Sequence, residues 1–201
     1  MQRFCAMLAL LTGLLAAAPA SAAVLVDATY LGRALRIVAE SDQSLVKVTL
    51  GDRVRMIDLA RGLVASADGR VARMPSAESP GATDRSLTVE AWSPGPAIAG
   101  YSSSYQVVMN NNRRVCAEVL ANDAVRRKME PVIQAMAVIQ LLDGSYTMNE
   151  PAPGCGPVPF EVLASQGWPL MAGEMEKPAF TTRRLDLSYR PAPREMIWPG
   201  R

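Results

Sequence analysis

The chain has 201 residues, with 21 basic side chains against 19 acidic ones and no histidine. That near-even balance, without a long basic tract, excludes the usual footprint of a nucleic-acid-binding protein. The missing histidine removes Ser-His-Asp and Cys-His catalysis together with the commonest zinc and copper ligand.

The N-terminus has a three-part plan. Arg3 is a positive charge, Phe4 to Ala17 is an apolar core, and Ala20-Ser21-Ala22 is a small-residue cleavage pattern. This predicts a secretory signal peptide over 1–22 and a periplasmic or secreted location. Pro19 and Ser21 interrupt the run before it reaches the roughly 20 apolar residues of a membrane helix. The expected mature chain, 23–201, is a single exported α+β domain. No later run is long enough to span a bilayer, since "VIQAMAVIQLL" is short and carries two glutamines.

The first half of that domain alternates like a set of hairpins. "YLGRALRIVA" (30–39) precedes "SLVKVTL" (44–50), where Val46, Val48 and Leu50 share one face. Gly51-Asp52 is a two-residue turn signal, and "RVRMIDL" (53–59) returns from it. There Val54 and Met56 share one face, with Arg53, Arg55 and Ile57 on the other. "GLVASADGRVARM" (62–74) is a second hairpin around Asp68-Gly69. A small, polar segment (75–85) reads as a surface loop. "SLTVEAW" (86–92), a turn at "PGPAIAG" (94–100), "YQVVMN" (105–110) and "VCAEVLA" (115–121) continue the sheet. Alternation puts Cys116 opposite Val115, Ala117 and Val119.

After the N-cap candidates Asn122 and Asp123 the period changes from 2 to 3.6. Val125, Met129, Val132, Met136 and Ile139 form a stripe at helical spacing. Pro131 must kink or restart this helix, and Gly144 ends it. A Pro/Gly-rich loop then carries Cys155. A short helix (159–167), strands at 168–176 and 179–190, and an irregular tail at 191–201 complete the chain. The fold class is therefore α+β: a sheet of about eight antiparallel strands, by these hairpin and period signals, against one main helix.

With Cys5 removed in the leader, Cys116 and Cys155 are left as an even pair in an oxidising compartment. That predicts a Cys116–Cys155 disulfide. The pair lacks C-x-x-C spacing and a basic cluster around Cys155, so a structural bond is expected rather than a reactive thiol.

Other residue patterns carry little chemistry. Asp52, Asp58, Glu90, Glu118, Glu161 and Asp186 are scattered without metal-ligand spacing. Ser102-Ser103-Ser104 lacks a nucleophile elbow. The methionines, Met171 and Met175 included, read as adaptable packing. Tyr101, Tyr105, Trp168 and Trp198 either line a pocket or fill the core. Arg53 and Arg55 are candidates to grip a phosphate or carboxylate headgroup, against the commoner reading of a solvated sheet face. No enzyme, metal or cofactor is expected.

Taken together, "RVRMIDL", "IAGYSSSYQVV", "VCAEVLA" before a helix, and "GWPL" resemble proteobacterial envelope proteins similar to the LolA-like lipoprotein-carrier fold, over roughly residues 28 to 190. The related pattern carries a cysteine soon after Gly-Tyr, where this chain has Ser102 to Ser104. The resemblance implies a curved, incomplete antiparallel barrel partly closed by helices, with an apolar concave face suited to acyl chains. The expected function is a periplasmic envelope protein that binds a lipid or other apolar ligand, with a lipid or lipoprotein as partner. The stripe from Val125 to Ile139 and the pair Arg53 and Arg55 would be its ligand-binding residues. The alternative is a structural or interaction module of the envelope without a small-molecule ligand.

Overall fold

A computed structural model describes residues 22–40, 44–75, 87–144, 155, 158–192 and 194–199. The expected signal peptide and Cys5 lie outside these residues, as does most of the 75–85 loop and of the segment around Cys155.

Six strands form the first half: β1 (Ala23–Tyr30), β2 (Arg33–Ala39), β3 (Leu45–Leu50), β4 (Arg53–Asp58), β5 (Leu63–Ser66) and β6 (Val71–Arg73). Tight turns set their register. Leu31 and Gly32 both have positive φ, and Tyr30 pairs with Arg33. This is the mirror-image turn whose twist suits a hairpin. Gly51-Asp52 joins β3 to β4 as expected, with Leu50 opposite Arg53.

The second half holds β7 (Thr88–Ile98), β8 (Tyr101–Met109), β9 (Val115–Asn122), β10 (Trp168–Glu174) and β11 (Lys177–Tyr189). The eleven strands form one open antiparallel sheet in the order β6-β5-β4-β3-β2-β1-β11-β10-β9-β8-β7. Eight strands were expected. β1 is one addition, and it stands in the middle of the sheet beside β11. Another correction is at 94–98. No turn forms there, and β7 runs on to Ile98 before Ala99-Gly100 reverses the chain. Pro94 and Pro96 are tolerated because β7 is an edge strand, with one side free of ladder bonds.

A 3-10 turn (Arg126–Met129) leads into α1 (Glu130–Asp143). Pro131 lies in the first turn of α1. Its missing N–H has no helical partner to lose there, so it starts the helix instead of kinking it. Val125 and Met129 accordingly precede α1. Gly144, at φ 62°, closes the helix in the left-handed conformation. α2 (Phe160–Leu163) is a single turn that packs on α1.

One apolar core draws side chains from β1 to β5 and from β8 to β11 onto these helices. Such a convergence requires the sheet to bend around them. The Cys116–Cys155 disulfide belongs to this core. Strict alternation would have put Cys116 on the other face from Ala117. Instead Met109 pairs with Val115 and Val108 with Ala117, so Cys116 is an extra residue on β9. The bulge lets both side chains enter the core.

The outer face has its own cover. Leu25 and Val38 pack with Met196, and Met56 and Ala65 with Trp198. The C-terminal segment is irregular, as expected, yet it forms a strap over β1 to β5.

Candidate functional site

The helix stripe is brought together as the sequence pattern implies. Val125, Met129, Val132, Met136 and Ile139 are all buried, at 5% exposure or less, in the one core. Facing them is a cluster of rings. Phe160, Trp168 and Phe180 meet pairwise with centroids 5.2 to 5.7 Å apart, and Tyr30 touches Phe180 edge-on. Trp168 therefore fills the core, and its indole N–H donates to Thr182 Oγ1 at 3.1 Å. Buried Gln140 is satisfied at both ends. Its Oε1 accepts from the Phe160 N–H at 2.8 Å, and its Nε2 donates to the Tyr30 hydroxyl at 3.3 Å.

Arg53 and Arg55 lie on the same side of β4 as the core residue Ile57 and reach the end of α1. Asp143 receives Arg55 at 2.7 Å and Arg53 at 3.5 Å. The two arginines are thus close to the stripe, but their charge is directed to a helix carboxylate. Among the described residues no group of three or more His, Cys, Asp or Glu side chains is placed to hold a metal ion, and no helix is long and apolar enough to cross a membrane.

Grooves also lie away from the helix-covered interior. One is on the outer face at the turns of β1–β2 and β3–β4, with Asp27, Thr29, Arg36, Thr49 and Arg183 among its walls. Another, of roughly 540 Å³, is formed by the β7–β8 hairpin with Asp123 and Gln166.

This second groove was not legible as a site from the sequence. Ser102, Ser104 and Gln106 alternate along β8, so they share a face. Ser104 pairs with Ala121 and Gln106 with Val119, both core residues. The groove is therefore the polar continuation of the concave face, beyond the point where apolar side chains stop. Gln106 is 2% exposed. Its Nε2 donates to Ser104 Oγ at 2.9 Å, while its Oε1 has no hydrogen-bond partner among the described residues. Ser103 Oγ donates to the Pro96 carbonyl at 2.7 Å. Asn122 steadies the rim. It donates to the Ser102 carbonyl at 2.8 Å and accepts from the Val125 N–H at 3.1 Å.

Trp92 stands at the edge of this groove with 58% of its surface exposed. Ala91 pairs with Gln106 and Ser93 with Tyr105, which makes Trp92 the extra residue of a bulge on β7. The Tyr105 ring braces it edge-on at 6.0 Å. The Tyr105 hydroxyl in turn donates to Glu118. That bond, with burial and the Glu118 charge, pushes the Tyr105 phenol up to about 12. No family model, curated protein or solved structure matches the chain.

Proposed function

We propose that this chain is an exported, non-enzymatic module of the cell envelope that acts through its surface, its interior being closed by its own side chains. The observation that carries this reading is the packing of the helix stripe. All five stripe residues and the Phe160–Trp168–Phe180 cluster are enclosed in one core, and such interiors are packed about as densely as organic crystals. The disulfide is compatible with an oxidising compartment, which agrees with the leader-like N-terminus.

Carriage of a lipid or other apolar ligand is the second reading. It draws support from one long helix over eleven strands, from Met129 and Met136 as adaptable packing, and from the resemblance to lipoprotein carriers. Native mass spectrometry of the purified protein, before and after delipidation, decides between the two. The surface-module reading expects the bare polypeptide mass in both samples and no fatty-acid-displaceable binding of the dye ANS. A stoichiometric co-purifying lipid would overturn it in favour of carriage.

A further inference from the structure

We infer that the groove between β7, β8, Asp123 and Gln166 is a binding site for a neutral, polyhydroxylated ligand, namely a saccharide chain. The inference stands whether or not the helix-covered interior takes a lipid.

Charge narrows the ligand class first. The lining contains no lysine or arginine, and Asp123 is its one charged residue. Phosphate, sulfate and carboxylate ligands depend on cationic partners or convergent N–H donors for strong hydrogen bonds. This groove instead offers acceptors. Gln106 Oε1 is buried without a donor, and Asp123 is exposed with no ion-pair partner among the described residues. A buried acceptor left unmade is costly to the fold. It is retained at little purpose unless an occupant of the groove supplies the donor.

Hydroxyl groups are suited to that role. Each donates once and accepts twice, as do the serine hydroxyls beside them. Ser93, Ser102, Ser103 and Ser104 give the groove the same dual character. Ser103 and Ser104 already spend their protons on the carbonyls of Pro96 and Ala121. Ser104 Oγ also accepts from Gln106, so each oxygen keeps acceptor capacity toward a further donor.

Trp92 supplies the apolar component. A sugar ring has a C–H face that is weakly positive, and an indole face is negative. Trp92 is the extra residue of the β7 bulge and is among the groove's lining residues, and bulges are common beside binding sites. Tyr105 holds it from the side, so little side-chain freedom remains to be lost on binding. The groove volume of roughly 540 Å³ lies within the range of about 300–1,000 Å³ typical of small-ligand sites.

The test titrates the purified protein with soluble N-acetylglucosamine tetramer and with maltotetraose, by calorimetry and by tryptophan emission. Isolated, protein-free envelope glycan serves as a sedimentation probe. Trp168 and Trp198 are buried, so a change in solvent exposure reports on Trp92. The expected result is a saturable heat and a blue shift with at least one soluble oligosaccharide, or retention on the glycan pellet. Retention alone identifies the polymer as source, and a soluble response identifies free oligosaccharide. Trp92→Ala should abolish binding. Gln106→Met should weaken it about tenfold or more while leaving the melting temperature unchanged or raised, because an unpaired buried acceptor is removed. The proposal is overturned if no saccharide binds up to about 10 mM, beyond the weak end of ordinary affinities. It is equally overturned if Gln106→Met lowers the melting temperature and leaves binding intact. A co-purifying lipid would displace the closed-interior reading without altering this titration.

Discussion

Arg55 on β4 holds the carboxylate of Asp143, the last residue of α1, at 2.7 Å. An aspartate at a helix C-terminus faces the negative end of the helix dipole. Asp143 is also poorly hydrated, with its side chain 8% exposed. Arg55→Ala would leave that carboxylate unpartnered by its closest cation. The expected cost is about 2–3 kcal/mol, somewhat below that of breaking a fully buried pair. Arg53 is 58% exposed and sits at 3.5 Å, so Arg53→Ala should cost less than about 0.5 kcal/mol. Urea midpoints of the two variants separate them. Equal losses would show that the pair does not work as described.

The Cys116–Cys155 bond should leave no free thiol when denatured, unreduced protein is titrated. Cys116→Ser or Cys155→Ser should lower stability by at most about 4 kcal/mol, the chain-entropy value for a loop of this length. Titration of two thiols per chain would refute the bond.

Tyr105 should be among the last phenols to ionise. Its folded value, raised to about 12 by the hydrogen bond to Glu118, by burial and by the Glu118 charge, lies above the ordinary value of about 10. The folded state therefore holds this proton more tightly than the unfolded one. Its contribution to stability is complete below about pH 10 and is lost as pH rises toward 12. Ultraviolet titration of the wild type and of Glu118→Gln checks this. The substitution should bring one phenol down toward the ordinary range.

The C-terminal strap should loosen in acid. Burial alone would raise the Glu195 carboxyl, but hydrogen bonds from the Tyr189 hydroxyl, the Ala192 N–H and Arg36 outweigh it and hold the group below the usual range. A depressed carboxylate stabilises the fold above its ordinary value of about 4.3, and that contribution is lost as pH falls through the depressed value. Trp198 is the strap's apolar anchor, over Met56 and Ala65 with Arg61 against its ring at 5.2 Å. Trp198→Ala should cost about 2–3 kcal/mol, less than for a fully enclosed tryptophan, and should increase ANS fluorescence. Unchanged stability and dye binding would mean that the strap covers nothing of consequence.

The sequence and the structure agree where a period runs undisturbed. The five stripe residues from Val125 to Ile139 are all buried, with the helical spacing kept from Val132 to Ile139 on α1, and Gly51-Asp52 makes its turn. They part where the period is broken. A bulge adds one residue and reverses every later facing. That is why Cys116 joins Ala117 in the core, and why Trp92 gives no sign in the sequence of lining a groove. Pro94 and Pro96 signal a turn in any strand paired on both sides, and only the sheet order reveals β7 as an edge. β1 is hidden by the apolar run of sequence before it, which masks the alternation of Val24, Val26 and Ala28 with Leu25 and Asp27. The polar groove was illegible for another reason. Its members come from β7, β8, Asp123 and the distant Gln166, and no local pattern links them.

The pairing of β1 with β11 governs the order in which the molecule is built. β1 to β6 spread from the centre to one edge, and β7 to β10 return from the other. Each half can zip up through pairings between strands close in the sequence. Within the sheet the halves join only through β11, which follows all the other strands in the sequence. Until then β1 presents an open flank of unpaired backbone groups, the kind of edge that invites aggregation. Closing it must wait for β11, far from β1 in the sequence, and such long-range contacts slow folding. Pulse-labelled hydrogen exchange during refolding should protect the β2–β3 amides well before those that β1 shares with β11.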